Sequence, residues 1–119
     1  MRPLLLALVG LLGACQEIYP EVVVVNLTSP DLQVRDPSIS GCRWSAVLAY
    51  GEATSVGRCL PGADRVHFEK QDTDDASAWF PYQTLTAHTL DYGDYRVIEL
   101  RLEDMEQDFS APGPYGHGH

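Results

Sequence analysis

The chain has 119 residues, with 8 basic and 17 acidic side chains and a formal net charge of −9. This length suits one small domain, and 45% hydrophobic residues are enough to form a core. The acidic balance argues against nucleic acids and anionic membrane surfaces as partners, because both carry negative charge.

The N-terminal residues have the pattern of an export signal. Met1-Arg2 supplies a positive charge, and residues 4–12 (LLLALVGLL) are apolar. As a helix this apolar run would rise about 14 Å, whereas the hydrocarbon core of a bilayer is about 30 Å thick. The sequence therefore predicts a removable signal peptide over residues 1–14 and not a membrane-spanning helix.

The end of this signal predicts how the protein is attached. Residues 12–15, Leu-Gly-Ala-Cys, resemble the lipobox of bacterial lipoproteins. The resemblance implies that Cys15 carries diacylglycerol, that cleavage occurs before it, and that fatty acyl chains such as palmitate hold the protein stably on a lipid bilayer. Gln16 stands where lipoproteins of the inner membrane carry Asp, so the resemblance implies the outer membrane, facing the periplasm or the surface. The alternatives are an ordinary signal peptide cut near Ala14 and a retained anchor.

Three cysteines in an exported protein would leave one of them unpaired. Lipid on Cys15 removes this problem and leaves Cys42 and Cys59 in a compartment where disulfides persist. A disulfide between them closes a loop of about 17 residues, which stabilises the fold by roughly 3 kcal/mol. A metal site is the alternative, and it is disfavoured because the two cysteines are isolated and no histidine lies at ligand spacing.

The mature chain is predicted to be all-β. After a lipidated cysteine and short tether over 15–21, β-branched runs and alternating patterns bounded by Gly, Pro and Asp predict six strands. These are residues 22–28, 32–36, 43–50, 64–70, 79–90 and 95–102. Asp91-Tyr92-Gly93-Asp94 is typical of a hairpin turn between the last two strands. A short helix is a candidate at 102–109, and the Gly- and Pro-rich residues 110–119 predict a disordered tail.

Short strands without an amphipathic helix favour a small β-sandwich of about six to seven strands over residues 22–109, with one disulfide. The phrases NLTSP, VLAYGEATS and LPGADRVHF resemble small immunoglobulin-like or transthyretin-like sandwiches of exported bacterial proteins. The run from SGCRWSAVLAYGE through GRCLPG to DMEQDFSAPGPYGH resembles small uncharacterised lipoproteins of myxobacteria-like Gram-negative bacteria. That second resemblance implies no particular activity.

The sequence gives no basis for an enzyme. None of the GxSxG, HExxH and SxxK motifs occurs to organise its Ser, His and Asp residues. His67 and His88 lie on the polar faces of their predicted strands and are read as surface residues, with a pairing across the sheet as the alternative. Asp91 and Asp94 flank a glycine and are read as turn formers. No cofactor is predicted.

Metal binding is the alternative function. Asp72, Asp74 and Asp75 offer oxygen ligands of the kind that Ca²⁺ uses, but the run lacks the glycine and distal glutamate of an EF-hand loop. His117 and His119 could ligate Cu²⁺ or Ni²⁺, although two ligands on a flexible tail make an incomplete site. We interpret these residues as solvated surface, and a periplasmic metal-binding protein remains the second hypothesis.

Aromatic residues provide the candidate binding surface. Trp79, Tyr92 and Tyr95 lie within 17 residues around the predicted last hairpin, and exposed Trp and Tyr are enriched at binding hot spots. The alternative is that these rings complete the core. The sequence thus predicts a non-enzymatic envelope lipoprotein that presents a small sandwich as an interaction or accessory module, with the bilayer and an envelope protein as its partners.

Overall fold

The structure, a computed structural model, describes residues 18–110. This part of the chain is built almost entirely of short strands, with one 3-10 helix at Leu102–Asp104. The strands are β1 (Glu21–Asn26), β2 (Val34–Ile39), β3 (Cys42–Arg43), β4 (Val47–Leu48), β5 (Gly57–Arg58), β6 (Gly62–Asp64), β7 (His67–Gln71), β8 (Trp79–Thr84), β9 (His88–Leu90), β10 (Tyr95–Leu100) and β11 (Met105–Gln107). Their number exceeds the expected six or seven because three predicted strands are divided and because β5 and β11 lie where no strand was predicted.

The described strands form three hydrogen-bonded groups. The first sheet has the order β10-β1-β5, the second has the order β11-β8-β7-β2-β3 with β4 also paired to β2, and β6 pairs with β9. Apolar side chains from all three groups meet in one buried cluster, which includes Val24, Val34, Phe68, Leu90 and Leu100. The predicted small all-β sandwich is therefore confirmed.

The disulfide joins the two main sheets. Cys42 on β3 is bonded to Cys59, which directly follows β5, with the two Cα atoms 5.2 Å apart. Both residues belong to the buried cluster. Gly57 lies against this bridge, since a Cβ atom there would be 2.6 Å from the Trp44 ring and 3.1 Å from the Cys42 sulfur. The predicted disulfide is thus part of the core.

A buried amide fixes the end of β1. Asn26 is fully buried, and its Nδ2 donates to the carbonyl oxygens of Leu32 and Leu48, each at 2.9 Å. Its Oδ1 accepts from the backbone N–H of Thr28 at 3.0 Å and from the Thr28 hydroxyl at 2.6 Å. All the hydrogen-bonding capacity of this side chain is used, as a buried amide requires.

The predicted hairpin between residues 79–90 and 95–102 is wrong. The chain forms the expected tight turn, in which the Asp94 N–H donates to the Asp91 carbonyl at 3.1 Å and Gly93 has a φ of 84°. However, β9 pairs with β6 and β10 pairs in parallel with β1. This pairing lets the inward side chains of β10, Ile98 and Leu100, enter the core beside those of β1.

Two other predicted boundaries are also wrong. The second strand does not stop at Pro37, because β2 continues to Ile39 across a register shift between Arg35 and Ser38, where a missing proline N–H is tolerated. Residues 102–109 do not form a helix beyond the 3-10 turn, since β11 pairs there with β8. The backbone of residues 105–107 is instead hydrogen-bonded to β8 as an antiparallel strand.

The predicted strands 43–50, 64–70 and 79–90 are divided, the last of them into β8 and β9. In the first, pairing is confined to β3 and β4, which are both two residues long. In the second, β6 pairs with β9 and β7 pairs with β2 and β8, so the break near Arg65 lets one segment serve two groups of strands. The predicted shared face of Val66 and Phe68 is confirmed, because both side chains are buried.

Candidate interaction surface

The outer edge of the first sheet has no neighbouring strand within residues 18–110. Among the strands of residues 18–110, β1 is the sole partner of β10. The N–H of Glu21 donates to the Asp94 carbonyl and the N–H of Leu27 donates to the Leu100 carbonyl, each at 2.9 Å. Backbone N–H and C=O groups alternate in direction along a strand, so those of the even-numbered residues of β10 point toward β1. The N–H and C=O groups of Tyr95, Val97 and Glu99 therefore point away from the sheet.

The opposite edge of β1 shows the same alternation and supports this assignment. Val24 accepts from the Thr54 N–H at 2.9 Å, and Asn26 accepts from the Gly51 N–H at 2.7 Å. The backbone groups of the even-numbered residues of β1 thus point toward the chain around β5. Those of the odd-numbered residues, including Glu21 and the following Leu27, point toward β10.

The side chains next to this edge include exposed apolar groups. Tyr95 is 59% exposed and Val97 is 56% exposed, whereas Ile98 and Leu100 on the other face are buried. Glu99, the next residue on the outer face, is held by Arg101 at 2.9 Å. We call the backbone and outward side chains of Tyr95, Val97 and Glu99 the β10 edge. It combines outward-pointing backbone N–H and C=O groups with exposed apolar side chains, as the addition of a strand from a partner requires.

A cluster of tyrosines lies where this edge begins. The rings of Tyr19 and Tyr92 have centroids 5.8 Å apart, and the Gly93 N–H donates to the Ile18 carbonyl at 2.7 Å. Tyr95 stands opposite Glu21 at the first position of the parallel pair. Ile18, Tyr19, Tyr92 and Tyr95 are all exposed, and together we call them the tyrosine end.

Tyr19 was missed by the sequence interpretation, which assigned it to a tether. No local pattern marks it, because its contact with Tyr92 exists only when β10 lies beside β1. Of the three predicted binding residues, Tyr92 and Tyr95 lie at the tyrosine end. Trp79 does not lie on their strand pair.

Trp79 belongs to the second sheet. It begins β8, and the Arg35 guanidinium lies over its ring at 4.3 Å from the centroid. The same guanidinium is bonded to Glu69 at 2.7 Å. Trp79 is half-buried in this arrangement, so its role is to pack against a surface cation of its own sheet.

A polar depression lies close to this arginine, at the irregularity in β2. Its volume is about 440 Å³, and it is lined by Asp36, Ser38, Arg43, Trp44, Ser45 and Glu69. Asp36 has a φ of 52°, which is uncommon for a residue other than glycine. Its N–H donates to the Ala46 carbonyl at 2.8 Å, so the bulge is held by the neighbouring chain.

The predicted acidic loop serves as a turn. The Asp75 carboxylate accepts from the Ser77 hydroxyl at 2.6 Å and from the Ser77 N–H at 3.0 Å, and these bonds lower the pKa of Asp75. Within residues 18–110, no group of three or more His, Cys, Asp or Glu side chains is placed to hold a metal ion, and this includes Asp72 and Asp74.

Three predicted sites lie outside the described residues: Cys15, His117 and His119.

A histidine, an aspartate and a serine do meet near the end of the described chain. The Asp108 carboxylate lies 3.2 Å from Nδ1 of His67 and accepts from the Ser110 hydroxyl at 2.6 Å. Burial by itself would raise the pKa of Asp108, but the bonds from Ser110 and His67 outweigh it and the pKa is lowered. The carboxylate stands between the other two, whereas nucleophilic catalysis needs the histidine on the hydroxyl.

The alternative for His67 and His88, a pairing across the sheet, is not formed through any hydrogen bond within residues 18–110, where His67 is bonded to Asp108. Asp91 and Asp94 are turn residues, as predicted: the Asp94 carboxylate accepts from the Asp91 N–H at 3.0 Å.

Nothing matched this chain in comparisons with protein-family models, with curated proteins and with solved structures. Among residues 18–110, no helix is long and apolar enough to cross a membrane. The exposed apolar side chains of the described residues include those of the β10 edge and the tyrosine end.

Proposed function

We propose that this protein is a lipid-anchored protein of a Gram-negative cell envelope, and that it presents its sandwich as a non-enzymatic interaction module. The observation that carries the proposal is the β10 edge. An open strand with exposed Tyr95 and Val97 offers both backbone hydrogen bonds and apolar contact to an extended segment of an envelope protein.

The pairing of the cysteines supports export and anchoring. Cys42 and Cys59 are bonded to each other in the core, and disulfides persist in oxidising compartments such as the periplasm. Cys15 is the third cysteine of the chain, and it follows Leu-Gly-Ala in the lipobox pattern. Outer-membrane placement rests on Gln16 and is part of the same proposal.

Metabolic labelling tests the anchor. Cells that express the full chain with a labelled fatty acid should yield a labelled protein that partitions into detergent. The variant Cys15→Ser should lose the label, while Cys42→Ser combined with Cys59→Ser should keep it, because the bridge has no part in acylation. A wild-type protein that lacks the label and stays in the aqueous phase would show that the anchor is wrong.

Site-specific crosslinking in the same cells tests the interaction module. A photoreactive side chain at position 97 should give a defined crosslinked product, because it lies on the β10 edge. The same group at Tyr50, which is 47% exposed, should not. Since the Gly51 N–H donates to the Asn26 carbonyl, Tyr50 lies near the far end of β1 and makes a matched control. Equal products from both positions, or none from position 97, would refute the β10 edge as the docking surface.

A further inference from the structure

We infer that the tyrosine end rests on the surface of the bilayer, at the headgroup level, and thereby sets the orientation of the sandwich on the membrane. This inference deepens the proposed function and rests on its lipid anchor. It assigns a lipid surface to Ile18, Tyr19, Tyr92 and the ring of Tyr95, and it leaves the rest of the β10 edge, with Val97 and Glu99, available to a protein.

The chain enters the sandwich at the tyrosine end. Ile18 is part of the tyrosine end, because its carbonyl accepts from the Gly93 N–H at 2.7 Å. Cys15 lies three residues before Ile18. A fully extended chain spans at most about 3.6 Å per residue, so these residues reach about 11 Å. A lipid on Cys15 therefore holds this end of the sandwich, and no other, next to the headgroups.

The exposed side chains of the tyrosine end have the chemistry of a membrane–water interface. Tyrosine is enriched at membrane–water interfaces, where its ring contacts apolar matter and its hydroxyl stays wet. Tyr92 is 47% exposed and Tyr95 is 59% exposed, and Tyr19 packs against Tyr92. Ile18 adds an exposed aliphatic side chain. Four such groups at the exit of the chain give the sandwich a preferred face toward lipid.

Charge indicates which lipid surface fits. Glu21, Asp91 and Asp94 lie at or beside the tyrosine end, and Arg96 lies 3.7 Å from Asp94. Arg58 stands opposite Glu21 on the neighbouring strand. This surface is not basic, so attraction to anionic lipid does not contribute. The contact is made to zwitterionic headgroups and should be insensitive to salt.

This orientation has a consequence for the β10 edge. β1 and β10 are parallel, and both begin at the tyrosine end. At about 3.3 Å per residue, six residues carry the far end of β10 roughly 17–20 Å away from it. The edge thus runs away from the membrane, where a partner in the periplasm can reach it.

Hydroxyl-radical footprinting on the lipidated full-length mature protein tests the inference. The protein, in phosphatidylcholine vesicles, is compared with the same mature chain carrying Cys15→Ser and exported behind an ordinary signal. Peptide mass spectrometry reads the oxidation of each tyrosine. In vesicles, oxidation of Tyr19, Tyr92 and Tyr95 should fall about fivefold, because the interface excludes water from the rings. Tyr50, at the other end of β1, should change less than about twofold and serves as the internal control.

Unchanged oxidation of the three tyrosines, or equal protection of Tyr50, would overturn the inference. A double change, Tyr19→Ser with Tyr92→Ser, should restore the oxidation of Tyr95 in vesicles. The control change Tyr50→Ser should leave Tyr95 protected. Protection that requires anionic lipid, or that disappears in high salt, would also contradict the assignment to zwitterionic headgroups.

Failure of the anchor is distinguished by a second preparation. The intact mass of the vesicle-bound protein reports whether Cys15 carries acyl chains. If it does not, the proposed anchor fails, and the Cys15 thiol is coupled instead to a maleimide phospholipid in the same vesicles. The tyrosine pattern then tests the orientation alone: protection supports it, and its absence refutes it.

Discussion

Proline substitution at two adjacent positions of β10 gives the sharpest test of the open edge. Arg96 and Val97 are both exposed, so neither change removes a buried side chain. They differ in backbone direction, because the N–H of residue 96 faces β1 and that of residue 97 faces outward. Arg96→Pro would leave the Glu21 carbonyl without its strand partner, whereas Val97→Pro would remove no bond within the sheet.

The expected difference follows from these bonds. Leaving a carbonyl acceptor without its donor lowers the free energy of unfolding by about 1–3 kcal/mol. Because a proline ring directed toward the neighbouring strand also adds strain, Arg96→Pro should lower it by about 3 kcal/mol in total. Val97→Pro should cost about 1 kcal/mol, because prolines are tolerated on outward positions of edge strands. In a domain of this size, 1 kcal/mol shifts Tm by about 4–8 °C, so the two variants should differ by about 8–16 °C.

Thermal unfolding followed by circular dichroism measures this difference. Arg96→Ala is the control for the side chain, whose guanidinium donates to the Thr89 carbonyl at 3.0 Å. Val97→Pro should also abolish the crosslinked product formed from other positions of the β10 edge, since it removes an outward donor. If Val97→Pro lowers Tm as much as Arg96→Pro does, the assignment of backbone directions, and with it the open edge, is refuted.

Three further changes test the core. Asn26→Asp places a carboxylate against two carbonyl oxygens and should lower the free energy of unfolding in urea by about 3–5 kcal/mol at pH 7. The loss should be smaller at pH 4, because the new carboxyl group is then partly protonated. An equal loss at both pH values would contradict the repulsion between the carboxylate and the carbonyl oxygens. Gly57→Ala should cost about 1–3 kcal/mol because its Cβ would overlap the Trp44 ring, and an unchanged urea midpoint would contradict the close contact. Asp108→Asn should lower the free energy of unfolding by about 1–2 kcal/mol at pH 7. Because the folded-state pKa of Asp108 is lowered, the ionised carboxylate stabilises the fold above the ordinary carboxyl pKa, and this stabilisation disappears as the pH falls below about 4. A loss of stability that persists at pH 2 would refute the role of the ionised form.

Local features of the fold were predictable from the residues. The β-branched run at 22–25, the shared face of Val66 and Phe68, and the turn at 91–94 depend on preferences that act over a few neighbouring residues. The cysteine pair was also predictable, because the lipobox resemblance implied a lipid on Cys15 and would leave Cys42 and Cys59 to pair with each other. Of the candidate site, Tyr92 and Tyr95 were identified, as exposed aromatic residues close together in the chain.

The partners of the strands were not predictable in the same way. The turn at 91–94 is formed, yet β10 does not pair with the strand that precedes it. Hairpin signals describe the turn and not the burial that follows it. Beside β1, the inward side chains of β10 enter the common core, and the free energy of burying them decides the pairing.

Asn26 illustrates the same limit for a polar residue. Within VVVVNLT it looks like the end of a strand, and its full burial is possible because carbonyl oxygens from Leu32 and Leu48 converge on its amide. These acceptors are 6 and 22 residues away, so no window of sequence around Asn26 contains them. A buried amide is tolerated only where such partners are in place.

The sequence by itself determined the class of fold, the cysteine bridge and the turn at 91–94, because alternation, β-branching and turn chemistry act through neighbouring residues. Tertiary structure alone decided that β10 lies parallel to β1, that no other strand of residues 18–110 pairs with β10, and that Tyr19 meets Tyr92 beside the start of β1. These features depend on which distant apolar faces can be buried together and on which backbone groups remain once they are. Burial is a property of the whole packed chain, and it therefore selects among pairings that local preferences leave equal.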